Sequence, residues 1–208
     1  QNWSREALGV LVQISLASYV AADQIDQAYS FLRILDESNR LALVMNTAGG
    51  GDRLGAAYYS LSVLCTIIGH EEAAERLLIS AVERRPDDAM AMNNLGYRRV
   101  EEGVNTPENA AMIERAITLM PSNSNLLDTA GWLRYKQGRF AAGPGFEGPG
   151  AAELLEMSLR EAARAGESPS AEVWDHLGDT RWRLGSAEGA KEAWSRALRL
   201  LSDPNERE

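Results

Sequence analysis

The chain has 208 residues, 45% of them hydrophobic and 25% charged, which is the balance of a folded globular chain and excludes a disordered one. A net charge of −9 argues against nucleic acid, whose phosphates demand a field of Lys and Arg. One cysteine, Cys65, excludes an internal disulfide and a cysteine-rich metal site, and its apolar setting reads as a small core residue.

In chain order, the first apolar run, Leu8 to Ala22, is interrupted by Gln13, Ser15, Ser18 and Tyr19. It is too short and too polar to cross a bilayer, so it predicts a packed helix. A second stripe follows through Ile25, Ala28, Leu32 and Leu35. Residues 40–52 then break the pattern with Leu41-Ala-Leu-Val-Met45 and Gly49-Gly50-Gly51. The glycines do not make a phosphate loop, because no Lys-Ser or Lys-Thr follows and no strand precedes them.

From Arg53 the helical period is regular. Leu61-Ser62 and Cys65 lead to Gly69, then Ala74, Leu78, Ala81 and Pro86. Leu95-Gly96 leads to Gly103, then Ile113, Ala116 and Pro121. Ala130-Gly131 leads to Gly138, then Ala151, Leu155 and Ser158. The last copy is the fullest: Trp174, Leu177-Gly178 and Arg181, a turn at Gly185, then Ala190, Trp194 and Ala197. Each predicts a helix pair in which small residues admit a close neighbour and glycine ends the first helix. Pro86 and Pro121 stand just past second helices, where a missing N–H is harmless.

This pattern resembles the tetratricopeptide repeat, W-x2-L-G-x2-Y followed by A-x3-F, particularly that of bacterial proteins. The resemblance implies an all-α, right-handed superhelical solenoid of antiparallel helix pairs, with four clear repeats and one degenerate pair. We divide the chain into a degenerate N-terminal pair (1–39), a glycine-containing insertion (40–52), an array (53–203) and a polar tail (204–208). The repeats run about 53–86, 89–121, 124–165 and 170–201. The anchors Leu16, Ser62, Gly96, Gly131 and Gly178 are 46, 34, 35 and 47 residues apart. A regular array repeats every 34 or so, so the longer intervals hold insertions. One is the Gly/Pro-rich segment 141–150, a candidate binding loop presenting Phe146.

In this family an extended peptide or protein segment usually lies along the concave surface lined by the first helices. The resemblance places Tyr59 and Val63 there, then Met90, Asn93, Asn94, Tyr97 and Glu101. It adds Asn125, Asp128, Trp132, Tyr135 and Lys136, and finally Glu172, Asp175, Asp179, Trp182 and Arg183. Rings mixed with amides and charges suit such a ligand, although Trp132, Tyr135 and Trp182 could instead pack between neighbouring helices. A carboxylate clamp of the chaperone-binding kind is incomplete: Asn94 matches it, whereas Tyr59, Asn125 and Thr129 replace its cations.

The expected function is therefore a protein-interaction scaffold without cofactor or metal, not an enzyme. Asp175 and Asp179 share a helical face with His176 offset, which is a thin ligand set, and no nucleophile pairs with a base. The alternative is self-assembly, a homodimer joined through apolar surface at Trp194, Leu198 and Leu201. The compartment stays open between cytoplasm and periplasm. Because the chain opens on Gln1, any export signal would already have been removed.

Overall fold

A computed structural model describes residues 5–37, 53–144 and 148–202. Ten helices lie among them, and the insertion 40–52 and Phe146 fall outside the described residues. Contacts within the chain divide it into two compact units, Gln1–Ala91 and Met92–Glu208.

The first unit contains α1 (Arg5–Ala21), α2 (Ile25–Glu37), α3 (Arg53–Ile67) and α4 (Glu71–Arg84). Apolar residues four apart put one stripe of each helix inside: Leu16 and Val20 on α1, Ala28 and Leu32 on α2. Ala57, Leu61 and Cys65 do the same on α3, and Ala74, Leu77 and Ala81 on α4. Each fully buried Leu contributes roughly 1.5–3 kcal/mol by leaving water. Tyr29 and Tyr58 stack at 4.8 Å between α2 and α3. Cys65 is fully buried and burial pushes its thiol pKa up, the state of an inert core residue. The α1–α2 turn places Asp23 at φ 55°, a left-handed conformation that Asp tolerates.

The second unit holds most of α5 (Ala89–Glu101), with α6 (Pro107–Leu119), α7 (Ser124–Lys136), α8 (Ala151–Ala165), α9 (Ala171–Arg183) and α10 (Ala187–Ser202). Side-chain oxygens satisfy the orphan N–H groups at three helix starts: Thr106 accepts from Asn109 N, Asn123 from Leu126 N and Ser170 from Val173 N. Pro107 takes the first position of α6, where its fixed φ fits. At α8 the Glu153 carboxylate reaches back to Gly150 N at 3.0 Å.

The anchor glycines mark where paired helices touch. A Cβ on Gly178 would stand 2.4 Å from the Trp194 ring of α10. On Gly131 it would stand 2.8 Å from Leu155 of α8, and on Gly96 2.6 Å from Ile113 of α6. Glycine at these anchors is thus a requirement for close approach, with Leu95, Ala130 and Leu177 filling the core beside it. Ser158 Oγ donates to Ser124 O at 2.8 Å and ties α8 to the start of α7.

Between α7 and α8 the described part of the inserted loop is held at its base. Ala151 N donates to Arg139 O and Ala152 N to Phe140 O, at 2.9 and 3.0 Å. The loop therefore leaves and re-enters the helix pair at one place, which explains how the pair tolerates it.

Candidate functional site

The first helices of successive pairs in the second unit, α5, α7 and α9, bring most of the expected site residues together. Residues four apart fall on one face of each helix, so Tyr97 and Glu101 align on α5 and Asp128 and Trp132 on α7. Glu172 and His176 align likewise on α9.

At the centre lies Trp132, only 7% exposed. Its ring stacks on His176 at 4.0 Å and 11°, and on Tyr135 at 4.6 Å and 7°. Its indole N–H donates to the Glu101 carboxylate of α5, which also receives Lys136 Nζ at 3.7 Å. Lys136 Nζ in turn sits 4.6 Å from the Trp132 ring centroid. Rings and charges so arranged attract one another through the ring quadrupole.

His176 Nδ1 stands 2.9 Å from Asp128 Oδ1, and both residues are buried. Burial lowers the imidazole pKa, but the hydrogen bond and charge of Asp128, helped by Glu172 and Glu101, outweigh it and raise the value above the ordinary range. Tyr97 donates its hydroxyl to Glu172, so α5 reaches α9 directly. Burial first, then that carboxylate, pushes the Tyr97 phenol up. Asp175 is also raised, by burial and by Asp179 one turn on.

The aromatic layer continues past α7. Phe140, at the base of the inserted loop, meets Tyr135 edge-on at 5.4 Å, and the Arg183 guanidinium lies 4.6 Å over Phe140. Trp182 is 59% exposed and meets Trp194 at 6.1 Å.

The expected residues thus separate by depth. Asn93, Asp128 and Trp132 are buried, the last two joined through His176 into a floor, while Tyr97 and Tyr135 are half-buried. The reading of Trp132 as a packing residue between neighbouring helices is the one its burial supports. Asn125, Lys136, Asp175, Trp182 and Arg183 are exposed around the floor. Asn94 is half-buried on α5, and Tyr59 is half-buried in the first unit. Asp179 turns to α10 and accepts from Trp194 Nε1 at 3.3 Å, so it does not converge with Asp175 on a shared cation. Trp194 is consequently committed to the α9–α10 contact, and of the proposed assembly residues Leu198 and Leu201 are the exposed ones, at 63% and 61%.

Among the described residues no group of three or more His, Cys, Asp or Glu side chains converges as a metal site, and no helix is long and apolar enough to cross a membrane.

Sequence reasoning missed the His176–Asp128 pair. The signal was present: His176 is two residues before Gly178 and Asp128 three before Gly131, so repeat register sets them on facing turns of consecutive first helices. It also missed Glu101 as the acceptor that fixes Trp132. Among the described residues of the loop, Phe140 joins the layer.

No family model matches the chain. A TPR repeat-containing protein of Pseudomonas aeruginosa is 31% identical over 121 residues, which is 58% of this chain and 18% of that protein. The chain thus spans less than a fifth of the curated relative it matches. Among solved structures, MamA from Desulfovibrio magneticus superimposes with a TM-score of 0.61 at 12% identity, over 96% of this chain and 98% of that one. A chain of the APC/C hetero-tetramer Cut9–Hcn1 gives a TM-score of 0.61 at 17% identity, over 90% of this chain and 32% of the other. These likenesses show the fold: an all-α array of helix pairs of the tetratricopeptide type.

Proposed function

From this tetratricopeptide-type array we propose that the chain is a protein-interaction module, holding a peptide or protein segment along the faces of α5, α7 and α9. The observation that carries the reading is the division by depth. Trp132 is clamped by Glu101, His176 and Tyr135, whereas Asn125, Lys136, Asp175, Trp182 and Arg183 stand exposed around it. A floor fixed in advance lowers the entropy lost on binding, and exposed amide, charged and aromatic groups supply hydrogen bonds and contact area. A micromolar complex needs only about 8 kcal/mol, within reach of a few such anchors. The Cut9–Hcn1 assembly provides a precedent for this fold in a complex with another protein.

The test is affinity capture from the source organism with the parent chain and a Lys136→Ala/Asp175→Ala/Trp182→Ala variant. All three residues stand at the surface and make only peripheral contacts, so the variant should keep the parent's circular dichroism and lose no more than a few degrees in Tm. A protein retained by the parent and lost by the variant supports the reading; equal retention by both overturns it.

A second reading rests on α10, where Leu198 and Leu201 are exposed one turn apart and offer an apolar contact to a second copy. A strict monomer in sedimentation at tens of micromolar would exclude it.

A further inference from the structure

We infer that His176 and Asp128 form a proton-operated latch between α7 and α9 that fixes the Trp132–Tyr135 layer when the imidazole is protonated and releases it when the proton is lost.

The geometry is specific. The imidazole is pinned at its edge by Asp128 at 2.9 Å and on its face by Trp132 at 4.0 Å and 11°. Both members of the pair are buried, at 5% and 7% exposure, where Coulomb attraction is poorly screened. One group therefore sets two contacts together, the α7–α9 bond and the stack beneath the indole.

The charges that reach His176 are mostly acidic. From α5 come Tyr97, its ring 6.4 Å away and its hydroxyl committed to Glu172, and Glu101. From α7 come Asp128 and, across the indole, Lys136, which is drawn to Glu101. Its own helix adds Glu172 and Asp175. From α8, Glu156 reaches α9 at Arg181 instead. Carboxylates dominate this set, so a cationic imidazole is the complement that the site is built to hold.

When the proton leaves to solvent, the imidazole still has one N–H to donate to Asp128, but the charge–charge attraction is gone. The buried Asp128 carboxylate is then held by a neutral donor alone, so the pair is weaker and water competes for it. The stack of Trp132 on a cationic ring weakens by the same event. Tyr97–Glu172 and Trp132–Glu101 do not use the imidazole, so the release is local and not an unfolding. The latch depends on residues within the chain alone and holds whatever partner occupies the surface above it.

The experiment is nuclear magnetic resonance of the full chain through a pH titration, following the His176 ring protons and the indole N–H of Trp132, the latter assigned with Trp132→Phe. We expect His176 to titrate with a midpoint above about 6.5, the ordinary value. The Trp132 indole resonance should move with the same midpoint, and the ring-to-ring cross-relaxation between Trp132 and His176 should fade above it. Asp128→Asn should lower the midpoint below that of the parent. Cross-relaxation that persists unchanged after His176 has lost its proton would overturn the latch. So would an indole resonance that ignores the imidazole midpoint. The parent chain alone decides the matter if Asp128→Asn does not fold.

Discussion

Gly178→Ala puts the repeat architecture to a direct test. Any side chain at 178 places a Cβ 2.4 Å from Cδ1 and Nε1 of Trp194 and 2.9 Å from Cε2. Ordinary contact needs 3.4–4 Å, so the indole must retreat by about 1 Å. It is a rigid ring, and its N–H is engaged by Asp179 at 3.3 Å, so it cannot swing aside without losing that bond. Overpacking of this kind costs about 1–3 kcal/mol, and the hydrogen bond roughly another 1. The better helix propensity of Ala returns about 1 kcal/mol. The net expectation is a loss of about 1–3 kcal/mol, or a fall of roughly 2–12 °C in Tm for a chain of this size. Near-ultraviolet circular dichroism should change as the Trp194 environment is disturbed. Gly189→Ala is the control, for its Cβ meets Ser186 Oγ at 2.7 Å, the far end of a short side chain, and Arg181 Cδ at 3.2 Å, part-way along a flexible one, and no ring or backbone. It should be neutral or stabilising by up to about 1 kcal/mol. Thermal melts of the two variants beside the parent decide it. If Gly178→Ala melts at or above the parent, the α9–α10 contact does not depend on the absence of a side chain, and the reasoning fails.

Two further outcomes follow from buried polar groups. Asn109 Nδ2 donates to both Gly96 O and Val104 O at 3.3 Å, so Asn109→Asp would set carboxylate oxygens against two carbonyls and should cost about 3 kcal/mol in urea titration. Because the folded-state pKa of His176 is raised above its unfolded value near 6.5, its contribution to stability is full below about pH 6.5 and declines as pH rises through the folded value. His176→Gln should remove that decline, and denaturation midpoints that vary with pH identically in parent and variant would contradict it.

Much of the fold was legible because its determinants are local and periodic. Leu177-Gly178 followed by Gly185 and Ala190 specifies a helix, a left-handed turn residue at φ 81° and a second helix with a small contact face. The same signals at Gly96 and Gly131 repeat the unit, since one pair cannot bury its own apolar stripe and must stack on the next. The caps at Thr106-Pro107 and Ser170 were not read from the sequence, although the side chain that caps each helix adjoins it there.

The site was legible only as an array of positions. Sequence placed Asp128, Trp132, Tyr135, Asp175, Trp182 and Arg183 on first helices, but helical register alone does not say how far each side chain lies from the neighbouring helix. That distance is set by helix packing, and it decides that Trp132 is floor and Trp182 is surface. It decides too that Asp179 serves Trp194, while Asp175 stays exposed. The His176–Asp128 pair depends on it most, since two residues 48 apart in the chain become partners only once α9 lies against α7. Local propensity and period fix where helices begin, end and turn; burial, pairing and protonation arise from which faces meet, and those belong to the tertiary structure.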